Sequence, residues 1–190
     1  RRVLFRSIAD GDEKIIVHVS NFRPLKRIKD VLEIFKKINE KINSKLIMVG
    51  DGPEKKKAKE FLRKHNLKNK VIFLGKTNQV DEILCSSDLF LLPSEKESFG
   101  LAALEAMALK VPVISSNAGG LKDLNINGNS GYTSDVGDID SMAQNAIKIL
   151  TDNSLEKKYR SQAFENAKKY DIKKVIPLYE KIYDEALNII

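Results

Sequence analysis

The 190-residue chain holds one cysteine, two histidines, five prolines and no tryptophan, and no apolar run approaches the ~20 residues needed to span a membrane. Each shortage excludes something. A single thiol, Cys85, cannot form an internal disulfide and suits a reducing compartment. Its setting, Ile83-Leu84-Cys85-Ser86-Ser87, reads as a helix end with a packed thiol. With His18 inside an apolar run, His65 in a lysine-rich helix end and Cys85 alone, no metal-ligand spacing exists, so no metal is expected. His18 reads as a hydrogen-bonded core residue and His65 as solvated. Arg1 to Arg6 lead into Ser7 to Asp12 without the apolar stretch of a secretory leader, which makes the cytoplasm the expected location.

The net charge of +7 is unevenly spread. Residues 1–80 carry 21 Lys or Arg against 9 Asp or Glu, whereas residues 81–190 carry 12 against 17. Such asymmetry can mark nucleic-acid binding. The lysines, however, fall at solvent-facing helical positions such as Lys36-Lys37 and Lys55-Lys56-Lys57, without the interleaved aromatics of a base-stacking surface. A solvated face is the favoured reading, and no nucleic-acid partner is expected.

Continuous apolar runs of strand length recur at Ile15–Val19, Lys45–Val49, Val71–Leu74, Asp88–Leu92 and Pro112–Ser115. Runs of this kind suit strands covered on both faces. Amphipathic segments lie between them, with apolar residues at Ile28, Val31, Leu32, Phe35 and Ile38, then Ala58, Phe61 and Leu62, then Val80, Ile83 and Leu84. The alternation predicts a doubly wound α/β domain with a parallel sheet and ligands at the carboxyl ends of its strands. After Asp138 the strand pattern stops, and Ile139–Leu150, Leu155–Ala167 and Val175–Ile190 read as a helical C-terminal extension. Residues 1–13 match neither pattern and read as linker or leftover sequence.

The segment from Leu91 to Met107 carries the chemistry. It closes an apolar strand with Pro93-Ser94 and opens a helix at Ser98-Phe99-Gly100-Leu101, with Glu97 and Glu105 eight residues apart. At about 1.5 Å per residue these carboxylates stand roughly 12 Å apart along the axis, the reach from a nucleotide's ribose to a sugar on its diphosphate. Between them, unpaired amides at Gly100, Leu101 and Ala102 favour a phosphate. The plainer alternative is that Glu97 and Ser98 cap the helix while Glu105 is a solvated surface residue. The run of Ala102, Ala103, Ala106 and Met107 argues instead for a buried helix, in which Glu105 needs a partner.

This pattern resembles the Glu-x7-Glu signature of the family-4 retaining glycosyltransferases, whose GT-B fold sets two Rossmann-like domains across a cleft. The resemblance covers residues 14–190 and is to the C-terminal, donor-binding half; an N-terminal acceptor-binding domain is expected in a complete enzyme and is not found in this sequence. Within the family, Ser20-Asn21-Phe22-Arg23-Pro24-Leu25-Lys26-Arg27 and Ser94 to Gly100 look most like the branch that moves N-acetylglucosamine from UDP onto L-malate in bacillithiol biosynthesis. The resemblance implies a UDP-sugar donor, no cofactor and a small acidic acceptor held by the other domain. It assigns Lys26 to the diphosphate; Asn21 stands where the family has Arg, and Arg23 is offered as the replacing guanidinium. Glu97 would bind sugar hydroxyls, Glu105 the ribose, and Ser98, Phe99, Gly100 and Leu101 the phosphates. Gly50 and Gly52, in Gly50-Asp51-Gly52-Pro53, would shape the cleft beside the substrate, and uracil would lie near Lys76 and Thr77. Gly119-Gly120-Leu121-Lys122-Asp123 resembles the family's Gly-Gly-x-Pro-Glu turn, with Lys122 and Asp123 replacing Pro and Glu.

Two rivals stand beside this reading. A non-catalytic nucleotide-binding or regulatory α/β module is disfavoured because no Gly-x-Gly-x-x-Gly follows the first strand, and Ser20, Asn21 and Arg23 stand where a receiver-like module would place acidic residues. A basic nucleic-acid binder would lose affinity steeply with salt. The sequence leaves the oligomeric state open, a homo-oligomer included.

Overall fold

A computed structural model describes residues 11–187. Among these residues, six parallel strands form one sheet: β1 (Lys14–Val19), β2 (Ser44–Val49), β3 (Val71–Gly75), β4 (Leu89–Leu92), β5 (Val113–Ser116) and β6 (Gly131–Ser134). Their spatial order is β3-β2-β1-β4-β5-β6, so the chain reverses its direction of travel across the sheet between β1 and β4. Helices connect the strands: α1 (Ile28–Asn39), α2 (Lys55–Lys64), α3 (Val80–Cys85), α4 (Leu101–Ala108) and the short α5 (Leu121–Leu124). Three more follow, α6 (Ile139–Thr151), α7 (Asn153–Ala167) and α8 (Ile172–Leu187). The doubly wound α/β fold is the one the alternating pattern calls for.

The apolar runs are continuous because each strand is covered on both faces. Ile16 of β1 and Leu89 and Leu91 of β4 point into a core shared with Val31, Phe35 and Ile38 of α1 and Ala146 and Ile149 of α6. Their neighbours Ile15, Val17, Phe90 and Leu92 point the other way, toward Ala103, Ala106 and Met107 of α4 and Ala163 of α7. The small residues of α4 let it lie close to the sheet. One residue, Asp152, separates two helices: it ends α6 and its carboxylate accepts from the Ser154 and Leu155 amides that open α7.

Three details go beyond or correct the expectations. Among the described residues no strand follows Asp138, as expected, but Gly131-Tyr132-Thr133-Ser134, outside the five apolar runs, forms β6 against β5. This short strand lacks an apolar run, and it is fastened by Asn125, which donates to the Val113 and Tyr132 carbonyls. The last helix starts at Ile172 rather than Val175, where Asp171 accepts from the Lys173 amide; residues 188–190 lie outside the described residues. Of the expected linker, residues 1–10 also lie outside them, but Glu13 belongs to the folded domain, buried and ion-paired with Lys45 and Lys70.

The uneven charge has a structural use. Lys14 pairs with Glu156 and Lys37 with Asp140, so basic residues of the first half meet acidic residues of the second. A further group, within the second half of the chain, lies at the sheet's amino end. Arg160 reaches Glu156 at 2.9 Å and Asp88 at 3.2 Å, and Asp88 also accepts from the Ile15 amide. Arg160→Ala removes the cation facing two largely buried carboxylates and is expected to destabilise the fold by about 2 kcal/mol, read as a lowered urea midpoint with unchanged slope.

Candidate functional site

In a doubly wound sheet, ligands bind where strand order reverses, outside the carboxyl ends of the strands. Here that point lies between β1 and β4. The two strands pair at Ile16–Leu89 and Val17–Phe90 and no further, whereas β1 stays paired with β2 as far as Val19–Val49. The loops after β1 and β4 therefore leave the sheet on opposite sides of a crevice.

The loop after β1 turns sharply at Phe22, which is fully buried with a φ of 43°. A bulky residue in this left-handed region is strained and holds only when its surroundings enforce it. The enforcement is visible. Phe22 packs near His18 and Phe73, its amide donates to Ser20 Oγ, and its carbonyl accepts from the Glu54 amide. Glycine is required across from it, since a Cβ at Gly50 would lie 1.8 Å from Ser20 O and one at Gly52 2.0 Å from Asn21 O. The empty faces of Gly50 and Gly52 are thus filled by protein backbone. The chain then enters a 3-10 turn, Pro24–Lys26, that delivers Lys26 to the crevice.

The loop after β4 is held on three sides. Ser116 Oγ donates to Ser94 O at 2.5 Å, the Glu95 amide to Leu25 O and the Gly120 amide to Glu97 O. Gly119, with a φ of 53°, sits so close that a Cβ would come within 2.0 Å of Glu97 O. The two glycines make the contact, and Lys122 and Asp123 lie beyond it in α5. Across the crevice, Lys26 and Glu97 form a salt bridge, and Ser94 Oγ donates to the same carboxylate at 3.4 Å.

Helix α4 begins with Gly100 at a φ of 94° and no side-chain cap. The capping alternative for Glu97 and Ser98 is therefore excluded, and the amides at the helix start face a hollow of about 360 Å³ lined by Ser20, Asn21, Lys26, Glu97, Phe99 and Leu101. A second hollow of about 560 Å³ lies beyond the Lys26–Glu97 pair, with Arg23, Lys96, Ser98 and Gly119 on its walls. Arg23, exposed, belongs to this second hollow, while Asn21 borders both. Phe99 is fixed by an edge-on contact with Tyr170, ring centroids 5.3 Å apart.

Glu105 departs from expectation. It is exposed, although Ala103, Ala106 and Met107 around it are buried. Since α4 starts only at Leu101, the helical rise covers half of the eight steps from Glu97, and the roughly 12 Å axial separation does not apply. Glu105 lines a further hollow of about 510 Å³ with Asn78, Asp81 and Leu84. It lies one turn past Leu101 on the same helix face, so the two hollows follow one another along α4. Asn78, not Lys76 or Thr77, borders that hollow; Lys76 is exposed and Thr77 Oγ1 accepts from the Gln79 amide.

His18 is buried as expected. Nδ1 lies 2.8 Å from Leu91 O and Nε2 2.7 Å from Ser20 Oγ. Burial lowers its pKa to about 4, the bond to Leu91 O opposes this, and the Lys26 charge adds to the lowering. Arg27 turns away from the crevice to Asp30 and Glu95. Among the described residues, no group of three or more His, Cys, Asp or Glu is placed to hold a metal, and no helix is long and apolar enough to cross a membrane.

The chain belongs to the glycosyl transferases group 1 family, whose model matches residues 2–170. It is 42% identical over 177 residues to N-acetyl-alpha-D-glucosaminyl L-malate synthase of Bacillus anthracis, covering 93% of this chain and 46% of that protein. It thus spans about half the length of the curated relatives it matches. Its fold superposes on Staphylococcus aureus TarM, solved with fondaparinux, alpha-GlcNAc-glycerol and UDP, with a TM-score of 0.84, 26% identity and coverage of 92% of this chain and 36% of that one. It also matches the C-terminal domain of a group 1 glycosyl transferase (LpcC) of Francisella tularensis, with a TM-score of 0.77, 23% identity and coverage of 87% and 90%. These likenesses place the chain with the C-terminal domains of GT-B glycosyltransferases.

Two outcomes follow from the site's construction. Gly119→Ala is expected to cost about 2 kcal/mol from the clash and the positive φ, read as a lowered urea midpoint with unchanged slope. The low pKa of His18 means that the unfolded chain takes up its proton near pH 6.5 and the folded chain only near pH 4. Stability is therefore expected to fall as pH drops through that window, by on the order of 3 kcal/mol from this group. His18→Asn should flatten the part of a urea-midpoint profile between pH 6.5 and 5.

Proposed function

We propose that this chain is the donor-binding part of a retaining glycosyltransferase that moves N-acetylglucosamine from UDP onto a small acidic acceptor, L-malate. The observation that carries the reading is the uncapped start of α4, opening on a hollow whose other wall bears Lys26 and Glu97. A diphosphate fits this place, because backbone amides and a fixed ammonium group both supply donors to an anion.

In this reading the Gly100 and Leu101 amides and Lys26 take the diphosphate, with Ser98 and Phe99 forming its rim and Asn21 and Arg23 at its edge. Glu97, held by Lys26, accepts hydroxyls of the sugar. Glu105, one turn along α4, accepts the ribose hydroxyls, and the base lies toward Thr77 and Asn78. Transfer is driven by stabilising the charge that grows on the departing UDP, with the acceptor hydroxyl attacking from the same face of the sugar. Lys26 is the side chain placed to do this, and no metal or cofactor is required. The acceptor is held by a second domain, and the protein works in the cytoplasm. The likeness to the malate synthase supports the acceptor and the sugar, and UDP in the TarM structure supports the nucleotide.

Isothermal calorimetry tests the assignment. Lys26→Ala is expected to weaken UDP binding by tenfold or more, the range for losing a charged hydrogen bond in a partly buried site. Glu105→Ala should weaken it by about threefold to tenfold. Unchanged affinity in both variants, or an unmodified chain that binds UDP no better than GDP, overturns the reading.

A further inference from the structure

We propose that His18 is a positioning residue of the cleft: its ring spans the parting of β1 from β4 and holds together the two loops that present Lys26 and Glu97. The geometry stands on its own, while the effect on donor binding rests on the function proposed above.

One fact orders every hydrogen bond in the group. Leu91 O can only accept, so the 2.8 Å contact makes Nδ1 the protonated nitrogen. Burial at 0% exposure and the nearby Lys26 charge keep the ring neutral. Nε2 is then a bare lone pair, and the 2.7 Å contact must be a bond donated by the Ser20 hydroxyl. With its proton so used, Ser20 Oγ accepts from the Phe22 amide at 3.2 Å. The direction of donation runs from Phe22 N–H to Ser20, from Ser20 to His18, and from His18 to Leu91.

The position of this chain gives it its effect. Leu91 is the residue after the last β1–β4 pair, Val17–Phe90, so the ring bridges the strands where their backbones cease to pair. On one side Ser20 and the strained Phe22 lead into the turn that carries Lys26. On the other, Leu91 and Leu92 lead into Ser94 and Glu97. Imidazole suits the task because it offers a donor and an acceptor on opposite edges of a rigid ring. An apolar side chain of similar size would fill the space and leave both the Leu91 carbonyl and the Ser20 hydroxyl without this partner.

Three variants of this chain test the proposal: Ser20→Ala, Ser20→Thr and His18→Asn, the last retaining a donor near the Nδ1 position while losing the Nε2 acceptor. Nitrogen NMR of labelled histidine at pH 7 is expected to show His18 as the neutral Nδ1–H tautomer. Ser20→Ala should speed amide exchange at Phe22 and Lys26 by tenfold or more, and Ser20→Thr should restore it. UDP affinity should fall threefold to tenfold in both Ser20→Ala and His18→Asn, the effect of one lost buried hydrogen bond. The double variant should bind as the weaker single variant does, because both remove the same link. Since Ser20 borders the hollow and His18 does not, additive losses mean that Ser20 acts on UDP directly, and they overturn the proposal. An Nε2–H tautomer, or Ser20→Ala with unchanged exchange, overturns it equally. If the unmodified chain binds no UDP, the proposed function fails, while tautomer and exchange still decide the role of His18. If His18→Asn does not fold, the Ser20 variants and the tautomer decide.

Discussion

The cleft depends on an interrupted strand ladder. β1 and β4 pair only from the middle of β1 to the first half of β4, at Ile16–Leu89 and Val17–Phe90, and the chain's order across the sheet reverses at this pair. Two loops are thereby sent apart and then drawn together again by side chains: Lys26 to Glu97 across the mouth, and His18 to Leu91 across the floor. A continuous ladder here would leave no crevice, and a crevice without the cross-links would leave the loops free to move. Catalytic groups that must act on a developing charge gain most when their geometry is fixed beforehand.

Much of that fixing is done by backbone against backbone. The Gly50-Gly52 turn is pressed onto Ser20 and Asn21, and the Gly119-Gly120 turn onto Glu97 and Ser98. Both pairs of contacts are closer than any Cβ permits. The glycines therefore act as spacers of zero width between neighbouring strand-end loops, and each carboxyl-end loop is registered by the next one in the sheet. Lys122 and Asp123 sit in α5, beyond the contact that the two glycines make.

The sequence made the sheet legible where burial on both faces wrote long apolar runs, as at Ile15–Val19 and Leu89–Leu92. It hid β6, whose four residues bring one core-packed side chain, Tyr132, and are otherwise held by a buried asparagine and a close glycine. In the site, the clustering of Lys26 and Glu97 followed from the strand-end rule, but the exposure of Glu105 did not. Alanines at 102, 103 and 106 gave α4 an average apolar character, while burial is decided residue by residue around its axis. His18 was legible as a satisfied core residue. Its partners were not, because the link to Leu91 joins residues 73 positions apart. Ser94 and Ser116 were silent for the same reason: a small polar residue at a strand end gives no sign of which carbonyl it will fasten.

The strand order also has a consequence for how the chain is made. β1, the first strand of this sheet in chain order, ends up in the interior of the sheet between β2 and β4, and the residues up to 80 supply only its β2 side. Until β4 emerges, β1 is a raw edge with unpaired amides, the kind of edge that recruits foreign strands. During that interval residues 1–80 present 21 lysines and arginines against 9 acidic residues, before Asp140 and Glu156 have been translated. Like-charge repulsion between two such unfinished sheets opposes pairing at the open edge until Asp140 and Glu156 arrive to meet Lys37 and Lys14.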